Sequence, residues 1–145
     1  MLALLRAAAL AAVLMPSLAK ADDAADIRQL MTAMFERPDA PLDVDPVTVH
    51  GDIAIAGWVQ GDMGGRALLR KEEGAWELSL CAGNALREPS GLEQLGLPAT
   101  EAAALAAAVV ASEAGLDPGR LAKFARFEGV IRMGADEPSA GGHGG

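Results

Sequence analysis

Between Gly51 and Gly83 three apolar runs, Ile53–Gln60, Arg66–Arg70 and Ala75–Cys81, alternate with the turn-rich segments Gly61-Asp62-Met63-Gly64-Gly65 and Lys71-Glu72-Glu73-Gly74. Short runs patterned on every second residue and joined by glycine-bearing loops close as antiparallel hairpins, so this stretch predicts a β-meander. With Lys71–Gly74 as a loop, Leu69 stands opposite Trp76 and Ala67 opposite Leu78. A one-residue slip would set Arg70 against Trp76 and bring charge onto the apolar face, which favours the first register. With Gly61–Gly65 as a loop, Val59 stands opposite Ala67 and Gly57 opposite Leu69. One face is then expected to carry Ile55, Gly57, Val59, Ala67, Leu69, Trp76, Leu78 and Leu80, with Gly57 leaving room beside the Trp76 ring. The other face carries Trp58, Gln60, Arg66, Leu68, Glu77 and Ser79 and ends in Cys81.

The flanking sequence is helical. Ile27, Leu30, Met31, Met34 and Phe35 recur at the spacing of one helix face, predicting a helix over 22–36 that Arg37-Pro38 ends. Pro46–Val49 reads as a short edge strand, where proline is tolerated. After the meander, 85–95 predicts a short helix broken by Pro89 and Gly91. Residues 99–114 predict an alanine-rich helix capped by Thr100 and stopped by Gly115. Asp117-Pro118 opens another helix, with a cap and a proline at its first position. Phe127–Met133 is either its last turns or a closing strand. The expected class is therefore α+β: an N-terminal helix, an antiparallel meander of three to four strands, and C-terminal helices packed on the sheet.

Residues 1–21 have the pattern of a secretory signal peptide. Arg6 supplies a positive start, Ala7–Met15 an apolar stretch, Pro16 a break, and Ala19-Lys20-Ala21 a small-x-small cleavage site. Export to the periplasm with cleavage after Ala21 is expected, leaving no membrane anchor. Residues 22–133 then form one domain, and the glycine-rich 134–145, with His143, a disordered tail. Cleavage removes Arg6 and Lys20 and no acid, so the formal charge moves from −8 to −10. That balance argues against nucleic acid and anionic membranes as partners. The chain has one cysteine, Cys81, and so no internal disulfide. Cys81 is then a buried small hydrophobe, a metal ligand or an intermolecular thiol.

Few residues offer chemistry. The expected register brings Met63 near Cys81 at one sheet end, beside Gln60, Asp62, Arg66 and Ser79. A thiolate with a thioether suits Cu(I) by ligand softness, and His50 is a third candidate ligand. A plainer reading makes Cys81 core, Met63 a loop-tip residue and Arg66 the partner of Glu77 or Asp62. Arg66 beside Cys81 could also lower the thiol pKa. The Met31-x-x-Met34 pair offers sulfur too, although core packing explains it as well. Nucleophilic catalysis would need a base such as His50 held near Cys81, and no spacing forces the two together. No P-loop, dinucleotide fingerprint, paired-cysteine zinc motif or GxSxG elbow is present. The reading is non-enzymatic, with no catalytic residue assigned.

The block HGDIAIAGWVQGDMGGRALLRKEEGAWELSLCAGNALR, followed by GLPATEAAALAAA and LAKFARFEGVIRM, resembles the bacterial copper uptake system-associated proteins. GWVQGDMGGRALL, SLCAG and FEGVIRM are its most specific stretches, and the resemblance spans about Asp26–Met133. It implies an exported, periplasmic accessory of copper acquisition, working beside a copper chaperone or another uptake component; it supplies no established ligands. A looser resemblance, carried by Gly51-Asp52-Ile53-Ala54 and Gly74-Ala75-Trp76, is to nuclear transport factor 2-like domains and implies a curved sheet behind an N-terminal helix. The expectation is a copper-uptake accessory that binds copper, as Cu(I), or a copper chaperone. Its candidate metal ligands are Cys81, Met63 and His50. Trp58, Gln60, Asp62, Arg66 and Ser79 form a ligand or partner face. The alternative is a small-ligand-binding domain with a pocket between sheet and helices, Trp58 forming one wall.

Overall fold

The computed structural model describes residues 16–133. The apolar stretch expected of a leader and the glycine-rich tail with His143 lie outside the described residues. In chain order the elements are α1 (Pro16–Phe35), β1 (Asp43–His50), β2 (Ile53–Gln60), β3 (Met63–Glu72) and β4 (Ala75–Ala82). A 3-10 turn (Asn84–Arg87), α2 (Pro89–Gln94), α3 (Ala99–Glu113), α4 (Pro118–Ala125) and β5 (Ile131–Arg132) follow. The strands form one antiparallel sheet in the order β1-β2-β3-β4-β5. The fold is α+β as expected, with five strands among the described residues rather than three or four. α1 runs back through Ala19-Lys20-Ala21, so cleavage after Ala21 would leave about four of its turns.

The sheet is covered on both faces, because both carry apolar side chains. Ile27 and Met31 of α1 pack with Ala54, Ala56, Ala67, Leu69, Trp76, Leu78 and Cys81. On the other face, Leu92 of α2 and Leu105 and Val109 of α3 pack on Ile55, Leu68 and Leu80. Within the α1 stripe, Ile27 and Met31 are buried, Leu30 and Phe35 half-buried, and Met34 exposed. Pro46 lies at a register irregularity between Val44 and Val47 on an edge strand, where its missing N–H removes no ladder bond from a central strand. α3 has Pro98 at its N-cap with no side-chain cap, so Thr100, the second helical residue, lies two positions too late to cap it. α4 is capped as the sequence indicates: Asp117 Oδ2 accepts from the backbone N–H of Gly119 at 3.0 Å and of Arg120 at 3.3 Å.

Register is where structure and expectation part. The β2–β3 loop is the two residues Gly61-Asp62, with Gln60 opposite Met63, and not Gly61–Gly65. Gly64 and Gly65 are strand residues whose missing β-carbons make room for other atoms. A β-carbon on Gly64 would stand 2.8 Å from Lys123 Cβ, and one on Gly65 2.8 Å from the Phe127 ring. The resulting shift is odd, so β2 is turned over relative to β3. Ile55 and Gly57 share a face with Arg66, Leu68 and Leu80, while Ala54, Ala56 and Trp58 share one with Ala67, Leu69 and Trp76. Gly57 therefore makes room for Phe124 of α4 and not for Trp76.

The β3–β4 loop is also two residues, Glu73-Gly74, both with positive φ (+50° and +79°), as a type I′ hairpin turn requires. That shift is even and leaves Trp76 on its expected face. Beyond it, Leu69 pairs with Leu78 but Leu68 pairs with Leu80, which leaves Ser79 as the extra residue of a bulge. The bulge passes Leu80 to the α3 face and brings Cys81, opposite Ala67, to the α1 face.

Candidate functional site

A cavity of about 140 Å³ opens between α1, the sheet and the C-terminal segment, lined by Met31, Phe35, Leu42, Trp58, Gln60, Cys81, Phe127, Ile131 and Met133. Each wall has a local cause. The absent side chain of Gly65 lets Phe127 lie edge-on to Trp58, ring centroids 6.0 Å apart at 81°. Gln60 Nε2 donates to the carbonyls of Phe35 (2.9 Å) and Ala40 (2.8 Å), which fastens the end of α1 and the following loop to β2. The bulge at Ser79 turns Cys81 into the cavity wall. The Ser79 carbonyl also accepts from Met133 N–H at 2.8 Å and pins the last wall residue.

The lining is apolar apart from three kinds of group: the Gln60 amide, the Trp58 indole N–H and sulfur. Cys81 is buried, and burial pushes its thiol up to about 11. The Trp58 N–H opposes that shift, close enough to favour a charged sulfur. Among the described residues it makes no hydrogen bond of good geometry. An orphaned buried donor costs about 1–3 kcal/mol, and an acceptor entering the cavity would relieve it.

The residues expected to act together are dispersed. Cys81, Trp58 and Gln60 do meet at the cavity. Met63 is 65% exposed at the β2–β3 turn. Cys81 pairs with Ala67, four residues further along β3, or about 13 Å at the rise of a strand. The expected meeting of Met63 and Cys81 came from the five-residue loop, and it goes with that loop. His50 is exposed at the opposite sheet end, on β1, three strands or about 14 Å across from β4. It borders an open polar groove with Asp52, Arg70, Lys71, Glu72 and Glu101, where both signs of charge are present. Asp62 is exposed in the turn.

Arg66 lies on the α3 face, away from Cys81, and so does not lower its pKa. It is 1% exposed and forks onto Glu113 of α3, Nε to Oε2 and Nη2 to Oε1, both at 2.7 Å. Its partner is therefore neither Glu77 nor Asp62. Nη1 donates to Asn84 Oδ1 at 3.1 Å, and the guanidinium stands 5.2 Å from the Phe124 ring centre.

Sequence reasoning missed Met133 and Phe127 as wall residues, and left Met31 either as core or, with Met34, as a sulfur donor. The signal available was sulfur: Met31 was already a candidate, and Met133 ends the FEGVIRM stretch. Among the described residues no group of three or more His, Cys, Asp or Glu side chains could hold a metal ion. The same residues include no helix long and apolar enough to cross a membrane. Compared with protein-family models, with curated proteins and with solved structures, the chain matches none of them. What fold and site define is a three-layer α+β domain with one small, largely apolar, sulfur-bearing cavity.

Proposed function

We propose that the protein is a non-catalytic accessory of copper uptake in the bacterial periplasm, which binds copper as Cu(I) or binds a copper chaperone. One observation carries the reading. Seven of the 145 residues bear sulfur, yet three of the nine that line the cavity do, namely Met31, Cys81 and Met133. Chance placement would give fewer than one. Soft sulfur ligands are those that select Cu(I). The resemblance of GWVQGDMGGRALL, SLCAG and FEGVIRM to copper uptake system-associated proteins, and the leader-like 1–21, support the same role and compartment. Competition for Cu(I) between the purified mature protein and a chromophoric chelator tests it. One equivalent retained is the expected result, and none retained removes direct copper binding. Intact mass of periplasmic protein tests the address, since a chain beginning at Asp22 is expected and a retained Met1 would contradict export.

A second reading rests on cavity size. About 140 Å³ is close to the volume of an apolar cavity that holds benzene, and the unpartnered Trp58 N–H suits a ligand with one acceptor. A small aromatic or carbonyl compound would fit. Native mass spectrometry of freshly purified protein separates the two readings: it shows either a bound organic mass or the mass of one metal ion.

A further inference from the structure

We infer that the cavity is a site for a soft monovalent cation, held by Cys81 Sγ and the thioether sulfurs of Met31 and Met133. The inference rests on the copper reading above and names its ligands, which the sequence placed at Cys81, Met63 and His50.

Three observations carry it. The first is where the sulfurs come from. Met31 stands on α1, Cys81 on β4 and Met133 just after β5, elements far apart in the chain that converge on one cavity. Met34, one turn along the same helix, and Met63 on its turn are exposed and line no part of it. The second is charge. Among the described residues no carboxylate and no imidazole lines the cavity, so the negative charge they offer there is one thiolate. A monovalent ion that takes the place of the thiol proton leaves the buried site neutral; the bond formed is metal–sulfur, the bond lost is S–H, and the proton goes to water. A divalent ion would leave one uncompensated positive charge among apolar walls, which is strongly unfavourable. The third is the Trp58 indole, which lines the same cavity; its N–H acts on the Cys81 sulfur yet makes no hydrogen bond of good geometry among the described residues. A metal-bound thiolate accepts such a donor, and donors of this kind orient and tune sulfur ligands.

Hard ions are disfavoured by the same lining. Calcium and magnesium demand six or more oxygens or ordered waters, and zinc commonly takes four nitrogen, sulfur or carboxylate ligands. The cavity supplies one thiol, two thioethers and the Gln60 amide.

The test uses the mature protein with Ag(I), an air-stable stand-in for Cu(I), and then with Cu(I) itself under anaerobic competition. With methionine methyls labelled, one equivalent of Ag(I) should shift the Met31 and Met133 resonances in the wild-type protein and leave those of Met34 and Met63 in place. Cys81→Ser should abolish tight binding. Met31→Leu and Met133→Leu should each weaken it at least tenfold, and Met34→Leu should bind as wild type. The methyl shifts are read on unmutated protein, so a variant that fails to fold does not decide the matter. If the protein retains one Cu(I) while the Met31 and Met133 methyls stay unmoved, or Met63 shifts in their place, this ligand set is overturned and the copper reading stands. If wild type retains neither ion, this ligand set and direct copper binding both fall.

Discussion

Arg66 and Glu113 form a two-pronged ion pair inside the domain, each nitrogen–oxygen distance 2.7 Å and neither side chain more than 3% exposed. Glu113 closes α3, where the helix dipole disfavours a negative charge. Arg66 from the centre of the sheet offsets that, with Arg87 Nε at 3.9 Å as a distant second cation. Removing one partner strands the other charge without water. Glu113→Leu and Arg66→Met should each cost about 3–5 kcal/mol, and the double variant much less than the sum. Urea midpoints of the three proteins check this; additive losses would mean the two side chains are not coupled.

Gly57 faces the ring of Phe124, which stands 2.5 Å from where a β-carbon would be. Phe124 is fully buried, and the Arg66 and Arg120 guanidinium groups lie 5.2 and 5.4 Å from its ring centre. Gly57→Ala should destabilise by about 1–3 kcal/mol through overpacking. Adding Phe124→Leu should recover part of that loss, because the obstructing ring is gone. Thermal melts of the single and double variants read the sign of the coupling.

Asp23 Oδ1 accepts from Trp76 Nε1 and from Lys71 Nζ, both at 3.0 Å. The Trp76 bond, then Lys71, holds the Asp23 carboxyl below its ordinary 3.8 against the opposing effect of burial. A depressed carboxylate adds stability above its unfolded pKa and loses it as pH falls through the folded one. The acid limb of the stability curve should therefore flatten below about pH 4 in Asp23→Asn. Trp76→Ala removes this bond together with a large buried ring and should cost about 3–5 kcal/mol at neutral pH.

Cys81 gives the opposite dependence. Its thiol is raised from 9.0 to about 11 by burial. A raised group adds stability below its unfolded pKa and loses it as pH rises through the folded one. The metal-free protein should lose on the order of 2–3 kcal/mol between pH 9 and pH 11. Cys81→Ala should not show that loss. In the native protein at neutral pH the protonated thiol should also react slowly with alkylating reagents; rapid alkylation would place the sulfur outside the cavity wall.

Periodicity made the strands, helices and fold class readable in advance. β2 matches its expected limits, and the α4 cap is legible because Asp117-Pro118 is a local signal. The site was less legible for two physical reasons. Glycine serves turns and close packing alike, so Gly64 and Gly65 read as loop although they are strand residues that accommodate Lys123 and Phe127. The bulge at Ser79 also leaves no mark on the alternation of a short strand, yet it decides which face Cys81 joins. Trp58 and Gln60 were found because they needed only β2. Met133 was not, since its place depends on a strand of two residues far along the chain.

That short strand has a kinetic consequence. β5 holds to β4 through Leu80–Arg132 and Cys81–Ile131, with the Met133–Ser79 bond beyond, and Ile131 is half exposed. Peeling it away breaks few bonds and uncovers little of the packed interior, yet it removes Ile131 and Met133 from the cavity wall together. Entry to the cavity should therefore follow local fraying and not global unfolding. The amides of Ile131 and Met133 should exchange with solvent at a lower free energy than those of β2 and β3. A cargo that bridges Met133 to Cys81 would slow that exchange selectively, tying how long it stays to how tightly the last strand is fastened.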